Sequence, residues 1–210
     1  MKIVAISPPF NFTKEIEVIT GLFENGLQTY HIRKPLYRKA RLRDFLEKVP
    51  TEFRNRIIIH SHHSLIRSFN LQGVHYTEKD LEPTFRNWYR ERSLASRIKK
   101  LVRTTSHKKL ASLYEKSDMP FEYVFLMPVF DPITGNYQSG YYEQGIKAAI
   151  QKTGKKIIVM GGVNIEKIEK INELGFYGMG LSACLWDKED PVKEYIKITR
   201  RCSELGIPVT

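Results

Sequence analysis

The sequence predicts an α/β fold, a (βα)8 barrel made of one compact domain over residues 1–210, on three observations. Short apolar runs alternate with amphipathic helical segments from end to end, the pattern of a parallel sheet with helical crossovers. A length of 210 residues suits one domain at the short end of the range for an eight-stranded barrel. The last two apolar runs end in small residues, at Gly161-Gly162 and at Leu181-Ser182-Ala183, where such barrels usually hold a phosphate.

The elements follow in order. Residues 2–6 read as the first strand. Residues 15–24 form a helix because Ile16, Ile19, Leu22 and Phe23 recur at helical spacing before Asn25-Gly26 stops them. Residues 29–32 are the second strand, then a basic loop leads to a helix around residues 42–49 that Pro50 ends. The third strand, 56–59, runs into His60-Ser61-His62-His63, and a short helix over 64–69 precedes the fourth strand at 73–76. Residues 77–97 are polar, aromatic and basic, and read as a loop with one helical turn in place of the fourth helix. Residues 99–103 make the fifth strand, with a helix expected over 107–115. The sixth strand, 123–127, is followed by a Gly-, Pro- and Asp-rich loop over 128–142 with the composition of a mobile lid. Helix six, strand seven, helix seven, strand eight and a last helix over 190–205 complete eight units.

Each strand then delivers its following residues to one rim, where barrel enzymes do their chemistry. Glycine there lets backbone N–H groups approach an anion, and a following helix N-terminus adds a favourable dipole. A phosphorylated small molecule is therefore the first ligand expected, at Gly161, Gly162 and Ser182. Arg33, at a strand end, reads as a phosphate or carboxylate ligand because its guanidinium fork matches such groups. His60, His62 and His63 cannot all point at one centre from a strand end, so His60 reads as a pocket wall and a transition-metal site is not expected. His75, inside a strand, reads as a satisfied core histidine.

Composition narrows the classes. An apolar content of 41% and a charged content of 27% are those of a globular protein, and no apolar run is long enough to span a bilayer. The N-terminal apolar run is broken too soon by Ser7-Pro8-Pro9 to act as a signal peptide, so a cytoplasmic location without membrane partners is expected. Cys184 and Cys202 lack ligand spacing, and both are expected to be buried or half-buried thiols. The net charge of +11 gathers around residues 33–43 and 86–103 and reads mainly as solvated surface. Nucleic acid is the disfavoured partner, because the second stretch lacks interleaved aromatics beyond Trp88 and Tyr89.

Taken in order, the rim sequences resemble the family of thiamine-phosphate synthase and its relative the thiazole tautomerase. The similarity runs through His31-Ile32-Arg33-Lys34-Pro35, Gly73-Val74-His75-Tyr76-Thr77-Glu78-Lys79-Asp80 and Thr105-Ser106-His107. It continues through Pro128-Val129-Phe130 to Thr134, then the glycine pair, then Ser182-Ala183. No single box is specific; their order and spacing are. The resemblance implies a (βα)8 barrel and substrate-binding positions at His31, Arg33, Lys34, His60, Thr105, Thr134, Gly161, Gly162, Leu181 and Ser182. It also implies a proton-transfer role for His107 and a metal-binding role for Asp80.

Departures from the synthase pattern fall on the diphosphate half of that site. The family's Asn-Asp pair after strand three corresponds to His60-Ser61, so one Mg²⁺-binding aspartate is absent while Asp80 matches the other. His31 replaces a Gln, Pro35 replaces a Lys with Lys34 displaced by one residue, and Gly135 replaces the loop lysine. The resemblance thus favours a tautomerase that needs no cofactor, in which His107 moves a proton on a phosphorylated thiazole. His107 is expected at a helix N-terminus, where the dipole favours its neutral form. The alternatives are the synthase itself, which joins a pyrimidine diphosphate to thiazole phosphate with Mg²⁺, and a noncatalytic sensor of thiamine phosphates. A homodimer is compatible with any of these.

Overall fold

The computed structural model describes residues 1–95, 100–132 and 134–210. Eight parallel strands close in sequence order into a barrel: β1 (Lys2–Ile6), β2 (Tyr30–Ile32), β3 (Ile57–Ile59), β4 (Gly73–Tyr76), β5 (Val102–His107), β6 (Tyr123–Leu126), β7 (Ile157–Val159) and β8 (Gly178–Leu181). Closure comes from β1 pairing with β8, Val4 opposite Gly180. Around the barrel lie α1 (Glu15–Glu24), α2 (Lys39–Lys48), α3 (Ile66–Phe69), α4 (Glu78–Leu81), α5 (Phe85–Ala95), α6 (Glu143–Thr153), α7 (Ile168–Glu173), α8 (Ala183–Trp186) and α9 (Pro191–Glu204).

Strand alternation sorts the apolar residues into two cores. Ile3, Ala5, Ile57, Ile59 and Val74 face the helices, together with Ile19, Leu22 and Leu46 from α1 and α2. Val4, Ile6, Ile58, Tyr123, Phe125 and Ile158 point inward and fill the barrel. Inward positions on β8 are glycines, and this has a steric reason. A Cβ at Gly180 would stand 3.1 Å from Ile6 and 3.3 Å from Phe125, so the large side chains of β1 and β6 occupy the space that β8 leaves. Trp186 in α8 reaches across the closing seam, and its Nε1 donates to the Ile6 carbonyl at 2.7 Å.

Two expectations are corrected. The stretch after β4 is not a loop with one turn: α4 and the eleven-residue α5 stand there, with Phe85 stacked on Trp88 at 5.7 Å and near Tyr89 at 6.5 Å. Arg97 and Lys99 of that basic stretch lie outside the described residues. Strand five extends to His107, and the helix expected over 107–115 is a short 3₁₀ segment, Ala111–Tyr114. The loop after β6 is tied down by its backbone: Val129 and Phe130 donate to the carbonyls of Met160 and Gly161, and Gln138 donates back to Val129. Cys184 is half-buried and Cys202 buried, both unpaired thiols. Among the described residues no helix is long and apolar enough to cross a membrane.

Candidate active site

Two cavities open at the C-terminal ends of the strands and meet at Met160, which lines both. The mouth pocket, about 410 Å³, is walled by Ile6, Phe125, Met127 and Met160, with Arg33, His60, His75, Glu78, Ser106 and Lys108 as its polar groups. The glycine pocket, about 560 Å³, is walled by Gly161, Gly162, Asn164, Ser182 and Ala183 under Pro128 and Phe130.

In the glycine pocket the two turns after β7 and β8 come together, as their small residues lead one to expect. Gly161 and Gly162 have φ of +88° and +65°. A Cβ on Gly161 would sit 2.6 Å from Pro128 Cβ, and one on Gly162 would sit 2.5 Å from the Phe130 carbonyl oxygen. Only glycine fits both the left-handed backbone and the loop lying against it. Among the described residues the amides of Gly161, Gly162 and Ser182 have no backbone acceptor. Leu181 is buried and lines neither pocket. Asn164 caps the next helical turn, its Oδ1 accepting from Glu166 and Lys167. Lys188 is the cation of this wall, but Glu166, Asp187 and Glu194 stand there too. An anion would therefore be held by main-chain amides and not by net charge.

The floor of the mouth pocket is a histidine cluster. His31, His60 and His75 are inward residues of β2, the end of β3 and β4, respectively. His31 Nδ1 lies 3.0 Å from His60 Nε2, and His31 Nε2 lies 2.6 Å from the Tyr123 hydroxyl. The rings of His60 and His75 stack at 4.0 Å. His75 Nδ1 is 2.8 Å from Thr104 Oγ1, and its Nε2 is 3.1 Å from Ser106 Oγ. Burial, reinforced by the neighbouring imidazoles, holds His31 and His60 well below the ordinary histidine range. Burial first, then the charges of His63 and Arg33, pushes His75 down to about 3. All three are neutral near pH 7.

Several expected site residues stand elsewhere. His31 is fully buried beneath the pocket and does not line it. Lys34 turns away from the rim: its Nζ is 2.5 Å from Glu15 Oε2 and donates to the carbonyls of Pro8 and Phe10 at 2.8 Å. Thr105 is buried on the outward face and donates to the Tyr76 carbonyl. Thr134 folds back on its own loop, its amide donating to Asp131 and its Oγ1 accepting from Asn136. His107 shares the outward parity of Thr105 and lines a third cavity with Lys155 and Glu115, which has no wall residue in common with the mouth or glycine pockets. Burial, then Lys155, lowers its pKa. Arg33 and His60 are at the mouth as expected. His75, read from sequence as a core residue, is buried and bonded within the barrel, and it also lines the pocket.

The donors present do not match the metal expected with a diphosphate. Mg²⁺ at a diphosphate takes oxygen ligands in octahedral geometry, with one or two free carboxylates of the protein beside waters and phosphate oxygens. Asp80 Oδ2 accepts from the Thr77 amide and hydroxyl, and Oδ1 accepts from Arg90 at 2.8 Å. These bonds, the Thr77 hydroxyl first, hold its carboxyl below the usual range against the opposing effect of burial. Ser61 supplies no charge, and Glu78 pairs with Lys108 at 3.4 Å on the exposed rim. The residues here do not fit a Mg²⁺–diphosphate site.

No protein-family model matches the chain. A thiamine-phosphate synthase of Vibrio campbellii is 25% identical over 143 residues, 67% of this chain and 67% of that protein. The thiamine-phosphate synthase of Vibrio parahaemolyticus is 29% identical over 87 residues, 40% of this chain and 43% of the relative. Among solved structures, the thiamine phosphate pyrophosphorylase of Bacteroides thetaiotaomicron matches with a TM-score of 0.77 at 24% identity, covering 97% of this chain and 98% of that one. The pyrophosphorylase of Pyrococcus furiosus gives 0.76 at 13% identity, covering 97% and 96%. The two structures establish the shared barrel. In sequence the chain is similar to these thiamine-phosphate synthases, along the same ordered boxes from His31 to Ser182.

Proposed function

We propose that the chain is an enzyme acting on a thiazole ethyl phosphate, and that it works as a tautomerase. The observation that carries this reading is the meeting of the glycine pocket and the mouth pocket at Met160. A phosphate on the amides of Gly161, Gly162 and Ser182 leaves the attached ring lying over Met160, Phe125 and Ile6, with Arg33 within reach of a ring carboxylate. His60 is the neutral imidazole on the floor beneath that ring, and it replaces His107 as the proton carrier in this reading. It takes a proton from the ring carbon bearing the carboxylate, and a proton is returned to the exocyclic carbon. Aromatisation drives the reaction, so the protein supplies orientation and one acid/base group. The poor fit to Mg²⁺ favours this reaction over the coupling that gives the two Vibrio relatives their name.

The test is a pair of assays on one preparation. Expected are accelerated aromatisation of the carboxythiazole phosphate and no thiamine phosphate from pyrimidine diphosphate, thiazole phosphate and Mg²⁺. His60→Gln should lower the tautomerase kcat by 10²- to 10⁴-fold, the usual size of an acid/base contribution, while His107→Ala leaves it within a factor of a few. Robust thiamine phosphate formation would establish the synthase instead. Binding of phosphorylated thiazoles without either turnover would establish a sensor.

A further inference from the structure

We propose that His31, His60 and His75 form a three-imidazole site for a divalent transition-metal ion of the zinc type, with its open coordination position facing the mouth pocket. One donor nitrogen from each ring lies within 4.8 Å of the other two. The His31 and His60 nitrogens are already 3.0 Å apart. A tetrahedral ion with metal–nitrogen bonds of about 2.0–2.1 Å separates its ligand atoms by about 3.3 Å, so the cluster is close to closing on such an ion. The remaining movement falls on His75. The His60 and His75 rings are 17° from parallel, and His75 must turn about its side-chain axis and release Ser106 for its Nε2 to converge.

The chemistry of the donors agrees with this. Neutral imidazoles suit zinc, cobalt, nickel or copper and not magnesium, and burial keeps these three uncharged. Outer partners are in place: Tyr123 Oη holds His31 Nε2, and Thr104 Oγ1 holds His75 Nδ1, the arrangement that fixes ring orientation at metal centres. Three protein ligands leave a fourth position for water, hydroxide or a carboxylate or phosphate oxygen entering from the pocket. His62 and His63 take no part. Their Nε2 atoms lie against the carbonyls of Tyr37 and His75. This site rests on its own contacts and stands whether or not the thiazole reading does. With metal bound, the His60 lone pair is engaged, so tautomerisation by His60 belongs to the metal-free form.

Titration of the chelator-stripped full chain with Co²⁺, read by visible absorption, tests the site. One equivalent should bind with the intense bands of a four-coordinate ion and be displaced by Zn²⁺. His60→Ala and His75→Ala should abolish the bands, and His62→Ala should keep them. Because His75→Ala also removes buried packing, each variant's circular dichroism is compared with the parent. Tyr123→Phe, which keeps the ring, supplies a second measure: it should weaken Co²⁺ roughly 10- to 100-fold, as loss of an outer partner does. No stoichiometric binding, binding that survives His60→Ala, or Tyr123→Phe with parental affinity would overturn the assignment.

Discussion

At residue 34 a lysine next to a rim arginine looks like an anion ligand, yet strand alternation carries it to the other face. There its ammonium is enclosed by Glu15, Pro8 and Phe10, and Glu15 in turn accepts from the Tyr30 hydroxyl at 3.2 Å. Burial pushes the Glu15 carboxyl up and the Lys34 amine down, and the pairing opposes both shifts. Breaking such a pair is costly because one charge is left buried. Lys34→Met should destabilise by about 3–5 kcal/mol in urea unfolding, and adding Glu15→Gln should restore most of the loss. Equal instability of the double variant would show that packing, not charge, is what Lys34 supplies. Arg33 was legible from sequence because its place at the strand end was enough. Lys34 was not, because the deciding fact is which helix lies opposite, and that is a tertiary one.

Among the elements, the turns after β7 and β8 were the most legible, since adjacent strands must bring their ends together in a closed barrel. Gly162 is the position where this can be measured. Gly162→Ala should cost about 1–3 kcal/mol from left-handed strain, with a further loss from the Phe130 carbonyl 2.5 Å from the new Cβ. Gly26→Ala is the comparison, at φ +96° with nothing within 4 Å. If the two variants unfold alike in denaturant, the close approach of the loop does not matter. The histidine cluster was illegible for a related reason. His60, His62 and His63 are neighbours in sequence, but His31, His60 and His75 are neighbours across three strands, joined by registers such as His31 opposite Ile58 and Ile59 opposite Val74. α5 was missed because its exposed face is so aromatic and basic that the apolar stripe is weak, with Leu94 its deeply buried residue.

For the molecule as a whole, placing three imidazoles inside the barrel ties stability to pH. In the unfolded chain they take up protons near pH 6.5, whereas in the fold they resist protonation until far lower, His75 until about 3. Between those values the unfolded state binds more protons, so stability rises with pH across the window and falls as the medium is acidified below about 6.5. Each histidine contributes a slope of about 1.4 kcal/mol per pH unit inside its window. Urea unfolding between pH 4.5 and 7.5 should show this, with a shallower slope in His75→Gln. A flat profile in the parent would mean that the cluster is already charged or solvated. The eight-unit order of the barrel was legible because the alternation of elements repeats. The depth of its polar interior was not, since histidines in short strands carry no periodic signal of their own. One consequence of the seam indole is practical. Trp186 is held against the Ile6 carbonyl from α8, the helix that Ser182 precedes, while the other tryptophan, Trp88, is 54% exposed on α5. In a Trp88→Phe background the emission of a single fluorophore would report on occupancy of the adjoining turn, giving an optical titration of phosphorylated compounds without a coupled enzyme.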